Sequence, residues 1–393
     1  MYKIQTLDRI SSKGLDYFTR DDYEIASEIV NPDAILVRSH DMLSMDINPS
    51  VKAIARAGAG TNNIPVKDLA QKGIVVFNTP GANSNAVKEL VILALLIASR
   101  PVIAATRWIE TDLKGKGAEI SSLAEKGKKN FIGQEIKGKT LGVIGLGAIG
   151  AQVANTAIEL GMNVIGYDPF LSIEAAWSLN RDVKHAETLD TVFTKADYIT
   201  VHVPETADTK GLISSQSIRA MKDGVRIINL ARGGLVNNED ILEAIKTGKV
   251  SCLVTDFAAE EFIGNDKVIC FPHLGASTPE AEENCAIMAV KELRSFLELG
   301  NIEHSVNFPK CRLDSPIPLG GTRLCITNKN VAGVVSKFTS VLGKADLNIA
   351  SMINQNRNDL AYNLIDVEGK VDQTTLEELS SIEGVINVRP IYD

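Results

Sequence analysis

Lys139-Thr-Leu-Gly-Val-Ile-Gly-Leu-Gly-Ala-Ile-Gly150 decides the reading of this chain: an apolar strand runs directly into Gly145-x-Gly147-x-x-Gly150. An amphipathic helix follows, with Val153, Ala154, Ala157 and Leu160 on one face. A second strand, Asn163-Val-Ile-Gly-Tyr-Asp168, then ends on an acid 23 residues after the first glycine. That order of parts fits a dinucleotide site. The first glycine allows the tight turn, the second lets backbone approach a pyrophosphate, and the third lets helix and strand pack closely. The helix N-terminus holds the anion and the acid accepts the ribose hydroxyls. Gly145, Gly147, Ala148, Ile149, Gly150 and Asp168 are therefore cofactor-binding candidates, and an acid at 168 favours NAD over NADP by repelling a 2′-phosphate.

Outward from this motif, 393 residues predict two or three domains. A net charge of −8 argues against nonspecific nucleic-acid binding, which needs a basic face. Five scattered cysteines without a C-x-x-C pair suit a reducing compartment and no metal site. The longest apolar run, Leu90–Ser99, is half a membrane span, and the N-terminus has no apolar signal core. The expectation is a cytoplasmic protein that acts without membrane or nucleic-acid partners.

Residues 1–100 read as an α/β domain with strands at 35–37, 53–55 and 75–77 and helices near 22–30, 65–72 and 85–99. A return at about 285–315, led by the helix Glu280–Leu299, completes this substrate domain. The lysine-rich 113–130 stretch reads as a solvated segment leading into a six-stranded, doubly wound nucleotide domain, placed at 101–284. Pro309, Pro316, Pro318 and Gly320-Gly321 mark a linker. Residues 320–393 then show a β-α-β-β-α-β order, a ferredoxin-like unit. The fold class is α/β: two Rossmann-like domains and a small C-terminal unit.

Three residues lie just beyond successive strand ends: Arg232 in Asn229-Leu-Ala-Arg-Gly-Gly234, Glu261 after Asp256, and His273 in Pro272-His-Leu-Gly-Ala-Ser-Thr278. Moving a hydride to or from a 2-hydroxy acid needs these types. Arginine's planar fork grips a carboxylate, histidine takes the hydroxyl proton near neutrality, and a carboxylate fixes the histidine's tautomer. His202 sits at another strand end, while His40, His185 and His304 read as surface residues.

These motifs, with His202-Val-Pro204…Thr209-Lys-Gly211-Leu212, resemble those of the D-isomer-specific 2-hydroxyacid dehydrogenases. Arg56-Ala-Gly-Ala-Gly60-Thr-Asn62 and Asn78-Thr-Pro-Gly81-Ala-Asn-Ser84 extend the resemblance over residues 1 to about 310. It implies Arg232, Glu261 and His273 as the catalytic set. It adds Thr79, His202, Pro204, Thr209, Leu230, Ala231, Arg232, Asp256, His273, Gly275 and Ala276 to the NAD contacts. Arg38, Ser39, Arg56, Gly58, Gly60 and Asn83 become substrate-binding candidates.

The tail, with Asn330-Val-Ala-Gly333 at its first turn, resembles an ACT regulatory domain. Together the two resemblances imply NAD-linked oxidation of 3-phosphoglycerate to 3-phosphohydroxypyruvate, the first step of L-serine synthesis. They also imply a homodimer or homotetramer, with L-serine held by Asn328, Asn330 and Asn348. Ala332 replaces the turn proline of ACT domains and Phe262 the proline that often follows the glutamate. Two alternatives stay open: a relative acting on glyoxylate or hydroxypyruvate, and a non-enzymatic NAD-sensing corepressor.

Overall fold

Short apolar runs alternating with amphipathic helices give parallel sheets, because each crossover helix packs back onto the strands it joins. The computed structural model describes residues 1–393, the side chain of Glu174 excepted. It divides into two units, Met1–Asn83 with Pro279–Asp393, and Ser84–Thr278. Among the described residues no single helix is long and apolar enough to cross a membrane.

The first unit holds β1 (Tyr2–Thr6), β2 (Tyr23–Ala26), β3 (Ala34–Val37), β4 (Ala53–Arg56) and β5 (Val75–Phe77), all parallel in the order β2-β1-β3-β4-β5. β2 corrects the helix expected near 22–30. Its four residues pair with β1 from Tyr2↔Tyr23 to Gln5↔Ala26, and Tyr23 closes an aromatic cluster with Tyr2 and Phe18. One face of the sheet packs on the helix Pro279–Leu299 through Leu36, Ala55, Phe77, Ala289 and Phe296.

The Ser84–Thr278 unit carries β6 (Thr140–Ile144), β7 (Asn163–Tyr167), β8 (Lys184–His185), β9 (Tyr198–Val201), β10 (Val225–Asn229), β11 (Val250–Thr255) and β12 (Val268–Cys270). The order is β12-β11-β10-β9-β6-β7-β8, parallel throughout, so the six expected strands gain the short β8. The helix Ser84–Ser99 belongs to this unit and not to a 1–100 domain: Val87, Val91, Leu95 and Ala98 pack with Leu141, Val143, Val153 and Ala157. The lysine-rich stretch is helical at Ile120–Gly127. Neither that helix nor Val102–Asp112 buries a residue; Ile103, Ile109 and Ile120 lie exposed along them, and Ile132 lies exposed just beyond.

Within the first unit the C-terminal segment forms β13 (Thr322–Lys329), β14 (Asn348–Arg357), β15 (Leu360–Glu368) and β16 (Val385–Tyr392), antiparallel in the order β14-β15-β13-β16. Alternation splits its side chains. Leu324, Ile326, Ile365 and Val367 face the helices Val334–Lys344 and Gln373–Ser380, while Cys325, Tyr362 and Leu364 join the core around Phe77, Phe296 and Phe308.

The sheet also closes a helix end. The last carbonyls of a helix lack internal partners and favour positive charge. Arg389 donates to Phe296 O (2.7 Å) and Leu297 O (3.0 Å), Arg323 to Leu299 O (3.1 Å), and Tyr362 Oη to Gly300 O (2.7 Å). Arg323 reaches on to the carbonyls of Leu313 and Ser315 and pairs, fully buried, with both oxygens of Asp366 (2.7 and 2.8 Å). The proline-bearing segment at 305–320 is therefore pinned, with Phe308 and Cys311 buried. It is not a loose tether.

Candidate functional site

The glycine loop follows from what each added Cβ would meet. Gly145 has φ +90° and hydrogen-bonds Tyr167 O, and a Cβ there would sit 2.7 Å from His202 O. At Gly150 it would lie 1.9 Å from Gly145 O, and at Gly147 it would meet nothing within 4 Å. So Gly145 and Gly150 are required by the fold, whereas Gly147 leaves a cradle open at the start of the helix Ala148–Glu159, whose N-cap has no side-chain partner. This geometry fits a pyrophosphate on helix amides. Asp168, just beyond β7, accepts from Leu146 N (2.8 Å) and Phe170 N (2.9 Å), which fixes its carboxylate beside the loop.

Beneath the loop, His202 donates its backbone N–H to Ile144 O and shares a 2.9 Å hydrogen bond with Thr200. Burial pushes its imidazole pKa down to about 4, so it is neutral near pH 7. Thr209 turns its hydroxyl onto Pro204 O at 2.6 Å and shapes the neighbouring loop.

The three catalytic candidates all lie in the Ser84–Thr278 unit, but not as a joined triad. Arg232 is exposed, with Nη1 donating to Ala231 O at 2.6 Å, and its loop is braced by Glu205, which accepts from Gly234 N at 3.2 Å. His273 is exposed in the left-handed region at φ +59° and sits edge-on to Phe257, ring centroids 5.3 Å apart. Glu261 differs from expectation: its exposed carboxylate accepts from Asn238 Nδ2 (2.8 Å), and among the described residues it makes no hydrogen bond to His273. Its pKa lies below the usual range because its own backbone amide and Asn238 stabilise the anion. The side chain that reaches the His273 loop is Asp256, expected to touch NAD. Its buried carboxylate accepts from Leu274 N (2.7 Å) and Gly275 N (2.8 Å).

The substrate candidates lie in the first unit, at the ends of β3, β4 and β5. Asp8 accepts from the backbone amides of Arg38, Ser39 and His40 (2.7–3.1 Å), and Glu282 pairs with the Arg38 guanidinium at 2.5 Å. Arg56 donates to Arg38 O and Gly60 O, and a Cβ at Gly58 would press its guanidinium at 2.8 Å. Thr79 N holds Gly58 O, and the amide oxygens of Asn63 and Asn83 are buried without a protein partner. Buried orphans of this kind mark a place built for a polar ligand. His304, read as a surface residue, pairs instead with the buried Glu292 at 2.6 Å.

The three effector candidates are not brought together. Asn328 is buried and bonded to Asn363, itself bonded to Asn354, in a row across β13, β15 and β14. Asn330 lies exposed in the following turn, and Asn348 lies at the opposite end of the sheet on Glu368. Asp8, Glu205, Asn238 and Glu282 escape a sequence reading, since nothing local distinguishes them from solvated polar residues.

Comparison with known proteins agrees with the geometry. Residues 93–275 match the family model described as D-isomer specific 2-hydroxyacid dehydrogenase, NAD binding domain. The chain is 31% identical to the D-3-phosphoglycerate dehydrogenase of Haemophilus influenzae, over 99% of this chain and 94% of that one. It is 35% identical over 78% of its length to the D-3-phosphoglycerate dehydrogenase of Archaeoglobus fulgidus, of which it spans 59%, little more than half. Among solved structures, the NAD+-bound 3-phosphoglycerate dehydrogenase of Entamoeba histolytica superposes with a TM-score of 0.60 at 25% identity, covering 78% of this chain and 98% of that one.

Proposed function

The chain belongs to the D-isomer specific 2-hydroxyacid dehydrogenases, and from that membership we propose that it oxidises 3-phospho-D-glycerate to 3-phosphohydroxypyruvate with NAD, in the cytoplasm, as the first step of L-serine synthesis. The observation that carries the reading is the near end-to-end likeness to the H. influenzae protein, which takes in the C-terminal sheet as well as both α/β sheets. NAD, when bound, supplies the acceptor for the hydride. Gly147 and the amides of Ala148 and Ile149 hold its pyrophosphate, and Asp168 takes its ribose hydroxyls. Arg232 grips the substrate carboxylate and polarises the carbonyl as it forms. His273 takes the hydroxyl proton as the C2 hydrogen leaves. Glu261 biases that histidine through the field of its carboxylate. In the first unit, Arg38, Ser39 and Arg56 supply the cationic, hydrogen-bonding surface that a phosphate needs.

The test is NADH formation with 3-phospho-D-glycerate against unphosphorylated D-glycerate. A strong preference for the phosphorylated acid is expected. Equal kcat/KM for the two, or preferred turnover of glyoxylate or hydroxypyruvate, sinks the substrate assignment.

The same reading makes the C-terminal sheet an ACT-type regulatory unit, supported by its β-α-β-β-α-β order. β14 is a ten-residue edge strand, and an open edge is a template for a second copy. Antiparallel pairing of two such edges brings Asn348 of one copy toward Asn328 and Asn330 of the other, where amides suit the charged ends of L-serine. The exposed isoleucines of 102–132 support a second contact in a homodimer or homotetramer. Millimolar serine should lower turnover in the wild type and not in Asn330→Ala. No effect on rate or on Tm counts against the effector site.

A further inference from the structure

We infer that the Asn229 side chain is a positioning group for Arg232, within a frame whose main chain continues to the His273 loop, an assignment that rests on the catalytic reading of Arg232 and His273. Asn229 is the last residue of β10 and is 1% exposed. Its side chain curls over the loop that follows: Nδ2 donates to Arg232 O at 2.8 Å and Oδ1 accepts from Ala231 N at 3.2 Å. Arg232 is thereby held in extended backbone (φ −149°, ψ 141°) at the point where the chain leaves the sheet. Its exposed guanidinium is tied to Ala231 O on the same loop, so the anchor of that loop on Asn229 sets where the fork points.

The main chain of Asn229 works toward the other side. Its carbonyl accepts from Asp256 N at 3.2 Å, the rung just past the end of the β10–β11 ladder. Asp256 in turn holds the His273 loop at three points: its carbonyl accepts from His273 N (3.2 Å), and its two carboxylate oxygens take Leu274 N and Gly275 N. One hydrogen-bonded frame therefore runs from the Arg232 loop through Asn229 and Asp256 to the His273 loop.

The residue type is dictated. The position needs a donor and an acceptor on one short, uncharged side chain. Aspartate has no donor for Arg232 O and buries a charge, and glutamine is one methylene too long for its own neighbouring backbone. Without this side chain Ala231 N loses its acceptor and Arg232 O keeps only Leu235 N at 3.3 Å, which frees the loop to move. A displacement of about 1 Å at a positioning group costs on the order of a hundredfold in rate.

The test is a double-mutant cycle of Asn229→Ala with Arg232→Ala, using whichever D-2-hydroxy acid the wild type turns over, with NADH affinity read by fluorescence. Asn229→Ala should lower kcat/KM about ten- to a hundred-fold, mostly by raising KM for the hydroxy acid, with NADH affinity within about twofold of wild type. In the Arg232→Ala background the same change should have little further effect. A general packing defect would instead weaken NADH binding and act equally in both backgrounds, which overturns the proposal. If Asn229→Ala yields no folded protein, Asn229→Ser, whose hydroxyl is too short to span both groups, carries the same cycle. A crippled Arg232→Ala beside an unaffected Asn229 variant overturns this inference alone. An active Arg232→Ala, or a wild type without turnover, overturns the catalytic reading and this inference with it.

Discussion

His273 stands in the left-handed region, where a side chain costs roughly 1 kcal/mol or more. Among the described residues the other non-glycine positions with positive φ are Asn31, Asp346 and Asn358, and histidine, like asparagine and aspartate, is among the types found there more often than most. Three hydrogen bonds donated by the backbone amides of residues 273–275 to Asp256 hold the strained loop. His273→Ala and Arg232→Ala should each lower kcat/KM by about two to four orders of magnitude, and rates near normal in either would sink the mechanism. Glu261→Gln should be milder, because its carboxylate is exposed and tied to Asn238. His202 supplies a pH signature. Its pKa falls from 6.5 in the unfolded chain to about 4 when folded, so the unfolded state takes up the proton first as pH drops. Stability is full above about 6.5 and declines toward 4. His202→Gln should flatten that limb by one proton's slope in urea titrations at several pH values, and an unchanged slope means another group titrates there. The candidate residues were legible from type and place, at strand ends in a dinucleotide fold. What the sequence left hidden was their restraint, since Asp256 and Asn229 act on loop backbone and Asn238 on a carboxylate from a different loop, none of which residue order reveals.

At the level of the element, the glycine loop separates fold from ligand. Gly150→Ala puts a methyl 1.9 Å from a backbone oxygen and should destabilise the protein by about 1–3 kcal/mol or more. Gly147→Ala meets empty space, so its thermal midpoint should match the wild type while NADH affinity falls at least about tenfold, because the methyl occupies the pyrophosphate's approach. Calorimetry and fluorescence titration on the pair decide it: unaltered NADH affinity in Gly147→Ala would place the pyrophosphate elsewhere. Long periodic elements were readable. Pro279–Leu299 lies within a residue or so of the helix expected at 280–299, and the C-terminal unit has the β-α-β-β-α-β order that hydrophobic spacing predicts. Tyr23–Ala26 was not, because four residues carry too little periodicity to tell strand from helix, and partnership with β1 decides it. The helix Ser84–Ser99 was found but given to the wrong unit, since an apolar face does not say which sheet it will cover.

For the whole molecule, buried Arg323, paired with Asp366 inside the C-terminal sheet, joins that sheet to the chain that leads into it through the carbonyls of Leu299, Leu313 and Ser315. Arg323→Met should cost about 3–5 kcal/mol in urea unfolding, since it strands Asp366 without a counter-charge and frees the carbonyls of Leu299, Leu313 and Ser315. A loss below about 1 kcal/mol would mean water replaces the guanidinium. Proline and glycine spacing predicted a linker at 309–321, but spacing cannot report that Phe308 and Cys311 are drawn into a core shared by two sheets. The capped end of the Pro279–Leu299 helix carries a consequence for inheritance. Residues 322–393 are not a cassette. A gene shortened at Gly320 would encode a helix end whose carbonyls at Leu299 and Gly300 lose their side-chain donors, while Phe296 O keeps only Gly300 N and Leu297 O only Tyr2 Oη, beside a Phe296 ring stripped of Arg389, and so a protein that aggregates before it can be called unregulated. A graft from a relative transplants cleanly when the donor brings an arginine to each of two neighbouring strands and a tyrosine to the third, in the register of Arg323, Arg389 and Tyr362.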